Sequence, residues 1–185
     1  MPNVHLIFPA AGIGKRFGSS QPKQYADIAG KTVMEWTLDV FSNGDAFNSR
    51  VLALQEHDAI GHRIAERYAN LNVCRGGEER ADSVLNALQF LGLREDPEDW
   101  VLVHDIARPC IRMSDVDKLI EFCRQQNSGA VLARPITDTV KQVTDDHGGC
   151  KTIDRSLLWT VQTPQCFKSE LILKAYQQDF DKLFT

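Results

Sequence analysis

An apolar run, Val4-His5-Leu6-Ile7-Phe8, leads directly into Pro9-Ala10-Ala11-Gly12-Ile13-Gly14-Lys15-Arg16-Phe17, and Pro22-Lys23-Gln24-Tyr25 follows. This stretch constrains the chain more than any other. The pattern predicts a short buried strand that ends in a loop of small residues. Without bulky side chains, such a backbone can approach a ligand closely and turn its N–H groups inward. Converging amides suit an anion, and the cations Lys15, Arg16 and Lys23 suit a polyanion. A nucleoside triphosphate is the simplest ligand with several negative charges and a flat part that needs close approach.

The loop is neither of the two common phosphate loops. A P-loop requires Gly, four residues, then Gly-Lys-Ser/Thr, but Arg16 follows Gly14-Lys15 and no glycine lies five residues before Gly14. A dinucleotide fingerprint requires a third glycine where Phe17 stands. Gly12 and Gly14 could serve only to turn the chain out of the strand. The three nearby cations favour phosphate.

The 185 residues suit one domain with a sizeable core. The formal net charge of -4 argues against general adhesion to nucleic acid. No apolar run reaches the about 18 residues of a membrane span, and the N-terminus lacks a charged-then-apolar signal pattern. Cys74, Cys110, Cys123, Cys150 and Cys166 are odd in number and contain no Cys-x-x-Cys. They indicate neither a zinc site nor a disulfide framework, and they suit a reducing cytoplasm.

Further along, Thr32 with Glu35 is a capping box that opens a helix, and Asn43-Gly44 closes it. Arg50–Leu54 is a second strand, His57–Ala69 a helix, and Leu71–Cys74 a third strand. A helix from Arg80 to Leu91 follows, then the strand Trp100–His104, whose apolar character makes it central. Ser114 with Asp117 starts a helix to Gln126; Gly129–Pro135 is a fifth strand. Thr139–Val143 and Lys151–Arg155 alternate around an Asp145–Gly149 turn and form a hairpin. Gln162–Phe167 is a returning strand, and a last helix runs from Ser169 to near Phe180. The fold class expected is α/β: a Rossmann-like, mostly parallel sheet with helices on both faces and a projecting β-hairpin arm at about residues 138–159.

In open α/β sheets, ligands lie beyond the carboxyl ends of the strands. Gly76-Gly77 ends a strand there and lines the crevice, or is a bare turn. Asp105 ends the central strand, where a carboxylate can hold Mg²⁺ beside substrate phosphates, or can cap a helix or turn. Arg108-Pro109, following at once, favours the metal; Arg108 suits a sugar phosphate or the loop's own acids. His104, at the end of the most apolar strand, is expected to be structural.

The residues Pro9-Ala10-Ala11-Gly12-x-Gly14-x-Arg16 with Pro22-Lys23-Gln24-Tyr25 resemble the sugar-nucleotidyltransferase superfamily. Within it, the chain is similar to the cytidylyltransferases of isoprenoid synthesis that act on 2-C-methyl-D-erythritol 4-phosphate. Three later stretches agree in order and spacing: Gly76-Gly77-Glu78-Glu79-Arg80-Ala81-Asp82-Ser83-Val84, Val103-His104-Asp105-Ile106-Ala107-Arg108-Pro109, and Trp159-x-x-x-Thr163-Pro164-Gln165. The resemblance covers essentially the whole chain, as one nucleotidyltransferase domain over 1–185.

The resemblance implies that CMP passes from CTP to the sugar-alcohol phosphate. Arg16 and Lys23 would be catalytic. Pro9, Ala10, Ala11, Gly12, Gly14, Gly77, Glu78, Ser83, Asp105 and Ile106 would bind the nucleotide, with Ala10, Ala11, Gly77, Glu78 and Ser83 facing the cytosine. Arg108, Thr139, Arg155 and Thr163 would bind the acceptor, and Asp105 would hold Mg²⁺. It also implies a cytoplasmic homodimer whose arms deliver Thr139 and Arg155 to the neighbouring site, although Arg155 alone could be an exposed strand charge. The family's C-terminal segment, with a Thr-Asp-Asp/Glu motif and a second lysine, has no counterpart in residues 1–185. A ribitol 5-phosphate cytidylyltransferase shares the first loop, and a chain ending at Thr185 could be an inactive nucleotide-binding module. A dehydrogenase is disfavoured, because the acidic ribose ligand it needs would fall near Glu35, already used by the capping box.

Overall fold

The computed structural model describes residues 2–12, 21–42, 46–93, 98–143 and 148–177. Strand β1 (Val4–Pro9) runs into the first loop. The pair β2 (Asp27–Ile28) and β3 (Lys31–Thr32) comes next, then α1 (Val33–Ser42), β4 (Ser49–Leu54), α2 (Ala59–Ala65), β5 (Leu71–Arg75), α3 (Arg80–Phe90) and β6 (Trp100–Val103). The second half contains α4 (Met113–Gln126), β7 (Ala130–Pro135), the arm strands β8 (Val140–Val143) and β9 (Cys150–Ile153), β10 (Trp159–Lys168) and α5 (Ser169–Gln177).

Six strands form one sheet in the order β5-β4-β1-β6-β10-β7. β5, β4, β1 and β6 are parallel, whereas β10 is antiparallel to both β6 and β7. The chain moves outward from β1 through β4 to β5, then crosses back to place β6 on the other side of β1. The order therefore reverses between β1 and β6, which is where open α/β sheets form their ligand crevice.

Alternation along β1 supplies two cores. Val4, Leu6 and Phe8 face α1, α2 and α4, packing with Met34, Leu38, Phe41, Ile64 and Val116. Ile7 faces α3 and α5, with Val84, Leu88, Val101, Ile172 and Leu173. Each such fully buried side chain contributes about 1.5–3 kcal/mol. At the start of β1, Asn3 donates its backbone N–H to Asp99 Oδ1 at 2.7 Å. His5 bridges Asp99 Oδ2 at 3.1 Å and Ser49 Oγ at 2.7 Å. The carboxylate can only accept, so His5 donates from Nε2 and accepts the Ser49 hydroxyl at Nδ1. This clamp joins β1 to β4 and to the start of β6.

The capping box at α1 is present: Glu35 Oε2 accepts from Thr32 N at 2.8 Å, and Thr32 Oγ1 accepts from Glu35 N at 3.2 Å. The expected closure at Asn43-Gly44 lies outside the described residues. Three expectations are corrected. α2 stops at Ala65 rather than Ala69, because Arg67 and Tyr68 bond three residues back, to Ile64 and Ala65, and tighten the last turn. α4 begins at Met113, not Ser114, since Asp115 and Val116 both donate to the Arg112 carbonyl and place Ser114 inside the first turn. β10 starts at Trp159, well before Gln162, because its first half pairs with β7 up to Pro135. The last helix is described to Gln177, so its end near Phe180 lies outside the described residues. No helix among the described residues is long and apolar enough to cross a membrane.

Candidate active site

The crevice is built from three strand ends and one turn. At the end of β1, Ala10 donates its N–H to Ala53 O at 2.9 Å, which draws the loop over β4. Ala10 and Ala11 are buried against the protein, and a Cβ on Gly12 would meet nothing within 4 Å among the described residues. The Pro22-Lys23-Gln24-Tyr25 turn packs beneath this loop. Gln24 Nε2 donates to Ala10 O at 3.0 Å, and the Tyr25 hydroxyl donates to Asp58, the N-cap of α2. Gln24 and Tyr25 are buried, while Lys23 between them and Pro22 is exposed. Arg16 and Gly14 lie outside the described residues.

The loop after β5 is tied to the first one. Gln55 Nε2 donates to Ala11 O and to Gly77 O, both at 3.1 Å. Gly76 presses so closely that a Cβ there would lie 2.3 Å from Ala11 Cβ; only glycine permits this approach. Gly77 N donates to Ser83 Oγ at 3.0 Å, and that hydroxyl donates to Glu79 O at 3.2 Å. The Ser83 proton is thus engaged in shaping the loop, and Glu78 beside it is exposed.

At the end of β6, Asp105 is gripped by two guanidiniums. Arg80 Nε lies 3.0 Å from Oδ1 and Arg108 Nε 2.9 Å from Oδ2. Burial pushes the Asp105 carboxyl up, but the charge and hydrogen bonds of Arg80 and Arg108 outweigh it and hold the group below the usual carboxylate range. Ile106 turns inward and joins the first core. Thr163 is buried, accepting Asp105 N at 3.2 Å and bonding His104 Nδ1 at 3.1 Å. His104 is fully buried, and burial lowers its pKa to about 4, so it is neutral at pH 7.

Ala10, Ala11, Gly12, Lys23, Gly77, Ser83, Asp105, Arg108 and Thr163 therefore gather at the carboxyl edge, where β1 meets β4 and β6. Thr139 immediately precedes β8 of the separate β8–β9 arm, and Arg155, expected in a strand, instead starts a 3-10 turn (Arg155–Leu157) after β9, N-capped by Asp154. The Arg155 guanidinium donates to Thr137 O. Among the described residues, no hydrogen bond or ion pair joins either residue to the strand-end loops. Arg80 is the site residue that sequence reasoning missed. At the first position of α3 it resembles any solvated helix start, and only the placement of α3 beside β6 reveals its partner.

Asp105 is the carboxylate at the end of the central strand, and among the described residues no cluster of three His, Cys, Asp or Glu groups could hold a metal. That donor set fits Mg²⁺ in its usual mode, in which protein supplies one or two carboxylates and water and phosphate the rest. It does not fit a metal caged by the protein. A cleft of about 460 Å³, lined by Ser49, Arg50, Asn70 and Asn72, lies at the opposite end, by the amino ends of β4 and β5. The Ala, Gly and Asp105 loops are not among its walls. The buried thiols are poor nucleophiles; burial pushes Cys74 up to about 11 and Cys166 higher still.

The sequence profile of the 2-C-methyl-D-erythritol 4-phosphate cytidylyltransferase (IspD) family matches residues 4–184. The chain is similar to the 2-C-methyl-D-erythritol 4-phosphate cytidylyltransferase of Vibrio vulnificus, with 42% identity over 176 residues, covering 95% of this chain and 74% of that relative. The enzyme of that name from Acinetobacter baylyi is 45% identical over 172 residues, covering 92% and 72%. A crystal structure of 4-diphosphocytidyl-2C-methyl-D-erythritol synthase superposes with a TM-score of 0.83 at 32% identity, covering 98% of this chain and 82% of that one. The Francisella tularensis 2-C-methyl-D-erythritol 4-phosphate cytidylyltransferase structure gives 0.75 at 35% identity, covering 95% and 76%.

Proposed function

Because the chain belongs to the 2-C-methyl-D-erythritol 4-phosphate cytidylyltransferase family, we propose that it transfers CMP from CTP to 2-C-methyl-D-erythritol 4-phosphate. The products are 4-diphosphocytidyl-2-C-methyl-D-erythritol and pyrophosphate, a step toward isoprenoid precursors. The observation that carries this reading is the convergence of two small-residue loops, the Lys23 turn and Asp105 at the point where the strand order reverses.

An oxygen of the acceptor's 4-phosphate attacks the α-phosphorus of CTP; the bond to the β-phosphate bridging oxygen breaks and pyrophosphate leaves. The second pKa of a phosphate ester is about 6, so the nucleophile is already charged and no base is required. Lys23, fixed in place by its buried neighbours, and Arg16 neutralise charge on the reacting phosphates. Ala10 and Ala11 leave room for the cytosine, and the backbone of Gly77 and Glu78 reads its edge. Asp105 would hold Mg²⁺, which supplies charge neutralisation on the phosphates. Arg80 and Arg108, which share Asp105 here, are placed to exchange that carboxylate for phosphate oxygens. Thr139 and Arg155 bind the acceptor from the arm of a partner in a homodimer. Exposed apolar side chains on that part of the chain, Val143 (72%), Leu157 (82%), Trp159 (58%) and Val161 (51%), support such an interface. The free cysteines suit a cytoplasmic setting.

The test is pyrophosphate release by the full-length protein with CTP and Mg²⁺, comparing 2-C-methyl-D-erythritol 4-phosphate with ribitol 5-phosphate. The former should be turned over with the higher kcat/KM. Equal or reversed preference would overturn the acceptor assignment, and CTP binding without pyrophosphate release would leave only a binding module.

A further inference from the structure

His104 follows β6, its ring packed against the Phe8–Phe41 pair with centroids 6.3 and 5.0 Å away. It makes two polar contacts that a mere space-filler would not need. Nε2 lies 3.1 Å from Arg108 O. A carbonyl only accepts, so Nε2 carries the proton. Nδ1 then presents a lone pair, and Thr163 Oγ1, 3.1 Å away, donates to it. The remaining lone pairs of that hydroxyl face Asp105 N, which donates at 3.2 Å. Arg108 N returns to Asp105 O at 3.1 Å and closes the turn. One neutral tautomer satisfies every partner. The imidazole therefore ties Asp105 through Thr163 at one end of the turn and Arg108 directly at the other.

We infer that His104 is a positioning residue for the transfer reaction: its Nε2–H tautomer sets the backbone of the Asp105–Arg108 turn, and so the directions from which the Asp105 carboxylate and the Arg108 guanidinium meet the phosphates. The inference rests on the proposed function for its consequence, though not for its geometry. Thr163, on β10 just before that strand's ladder with β6, is the middle link of the chain.

The test uses the full-length enzyme and three variants, His104→Phe, Asp105→Asn and the double variant. Phe keeps the ring and loses both bonds. His104→Phe should lower kcat about 10–100-fold, the usual effect of removing a group that orients a site's ligands. CTP binding measured without Mg²⁺ should be unchanged, because the base lies on other loops. In the Asp105→Asn background, His104→Phe should lower kcat by a smaller factor than in the unmodified enzyme, the remainder coming through Arg108, since partners in one network are not additive. A full kcat for His104→Phe, or the same fold loss in both backgrounds, would overturn the inference and leave the imidazole merely structural. Should His104→Phe fail to fold, ¹⁵N-histidine NMR of the unmodified protein at pH 7.5 decides. A protonated Nε2 with bare Nδ1 supports the inference; the opposite tautomer or an imidazolium overturns it. Absence of cytidylyl transfer in the unmodified enzyme would sink the proposed function, while the NMR experiment would still judge the network.

Discussion

Gln24 donates its side-chain amide to the carbonyl of Ala10 at 3.0 Å, so the turn that presents Lys23 is bolted to the underside of the loop that ends β1. Gln24 is itself only 4% exposed. That bond sets where the backbone of the turn, and so the root of the exposed Lys23 side chain, lies relative to the Ala10-Ala11 loop. Lys23→Ala should lower kcat by about 10²–10³, near 2.7–4 kcal/mol of transition-state stabilisation, with an unchanged melting temperature. Gln24→Ala should lower both kcat and stability, the latter by about 1–3 kcal/mol for the buried carbonyl left unpaired. Steady-state turnover with thermal melts separates the two.

Gly12 and Gly76 make opposite predictions. A methyl at Gly12 meets open space among the described residues, whereas one at Gly76 meets Ala11 Cβ at 2.3 Å with the Ala53 carbonyl at 3.3 Å behind it. Gly76→Ala should push Ala11 into the base pocket, weakening CTP binding tenfold or more, at about 1.4 kcal/mol per decade. It should also cost about 1–3 kcal/mol of stability. Gly12→Ala should leave the melting temperature alone and weaken only the nucleotide, which calorimetry with CTP will show.

Asp99 gives the pH dependence of stability. Burial pushes its carboxyl up, but bonds from His5 and Asn3 outweigh that and hold it below the usual range. A depressed folded pKa gives stability that is complete above the unfolded value of about 3.9 and is lost as pH falls through the folded one. Asp99→Asn should cost about 1.5–3 kcal/mol at pH 7 and flatten the loss of stability as pH falls from about 5 to below 3. Urea unfolding across that range is the measurement.

The apolar side chains exposed around the arm predict self-association. Trp159→Glu should shift the protein from dimer to monomer in sedimentation equilibrium. Its acceptor KM should rise with that shift if, as proposed, Thr139 and Arg155 serve a partner's site. A monomeric unmodified protein would remove the arm from the site.

Much of the site was legible because local chemistry dictates it. The Ala-Gly loop, the Gly76-Gly77 strand end and Asp105 each follow an apolar run, and parallel strands send their carboxyl ends to one edge. Strand order and long-range pairing were not legible. Nothing local says that Arg80 reaches Asp105 across 25 residues, or that Thr163 of β10 completes a chain through His104. Thr163 and Ser83 resembled ligand contacts, and the structure adds the bonds by which their hydroxyls also hold the loops together. The overlong α2 shows the same limit: Tyr68 sits at helical spacing from Ile64, but its hydroxyl is drawn to Asp39 at 2.8 Å and the chain leaves the helix first.

The central claim is that the crevice between β1, β4 and β6 holds cytidine triphosphate. A crystal structure of the full-length protein with CTP and Mg²⁺ tests it most directly. The cytosine should lie between Ala10-Ala11 and Gly77-Glu78, with the phosphates running toward Lys23 and Asp105. A nucleotide bound elsewhere, with this crevice empty, would contradict the account.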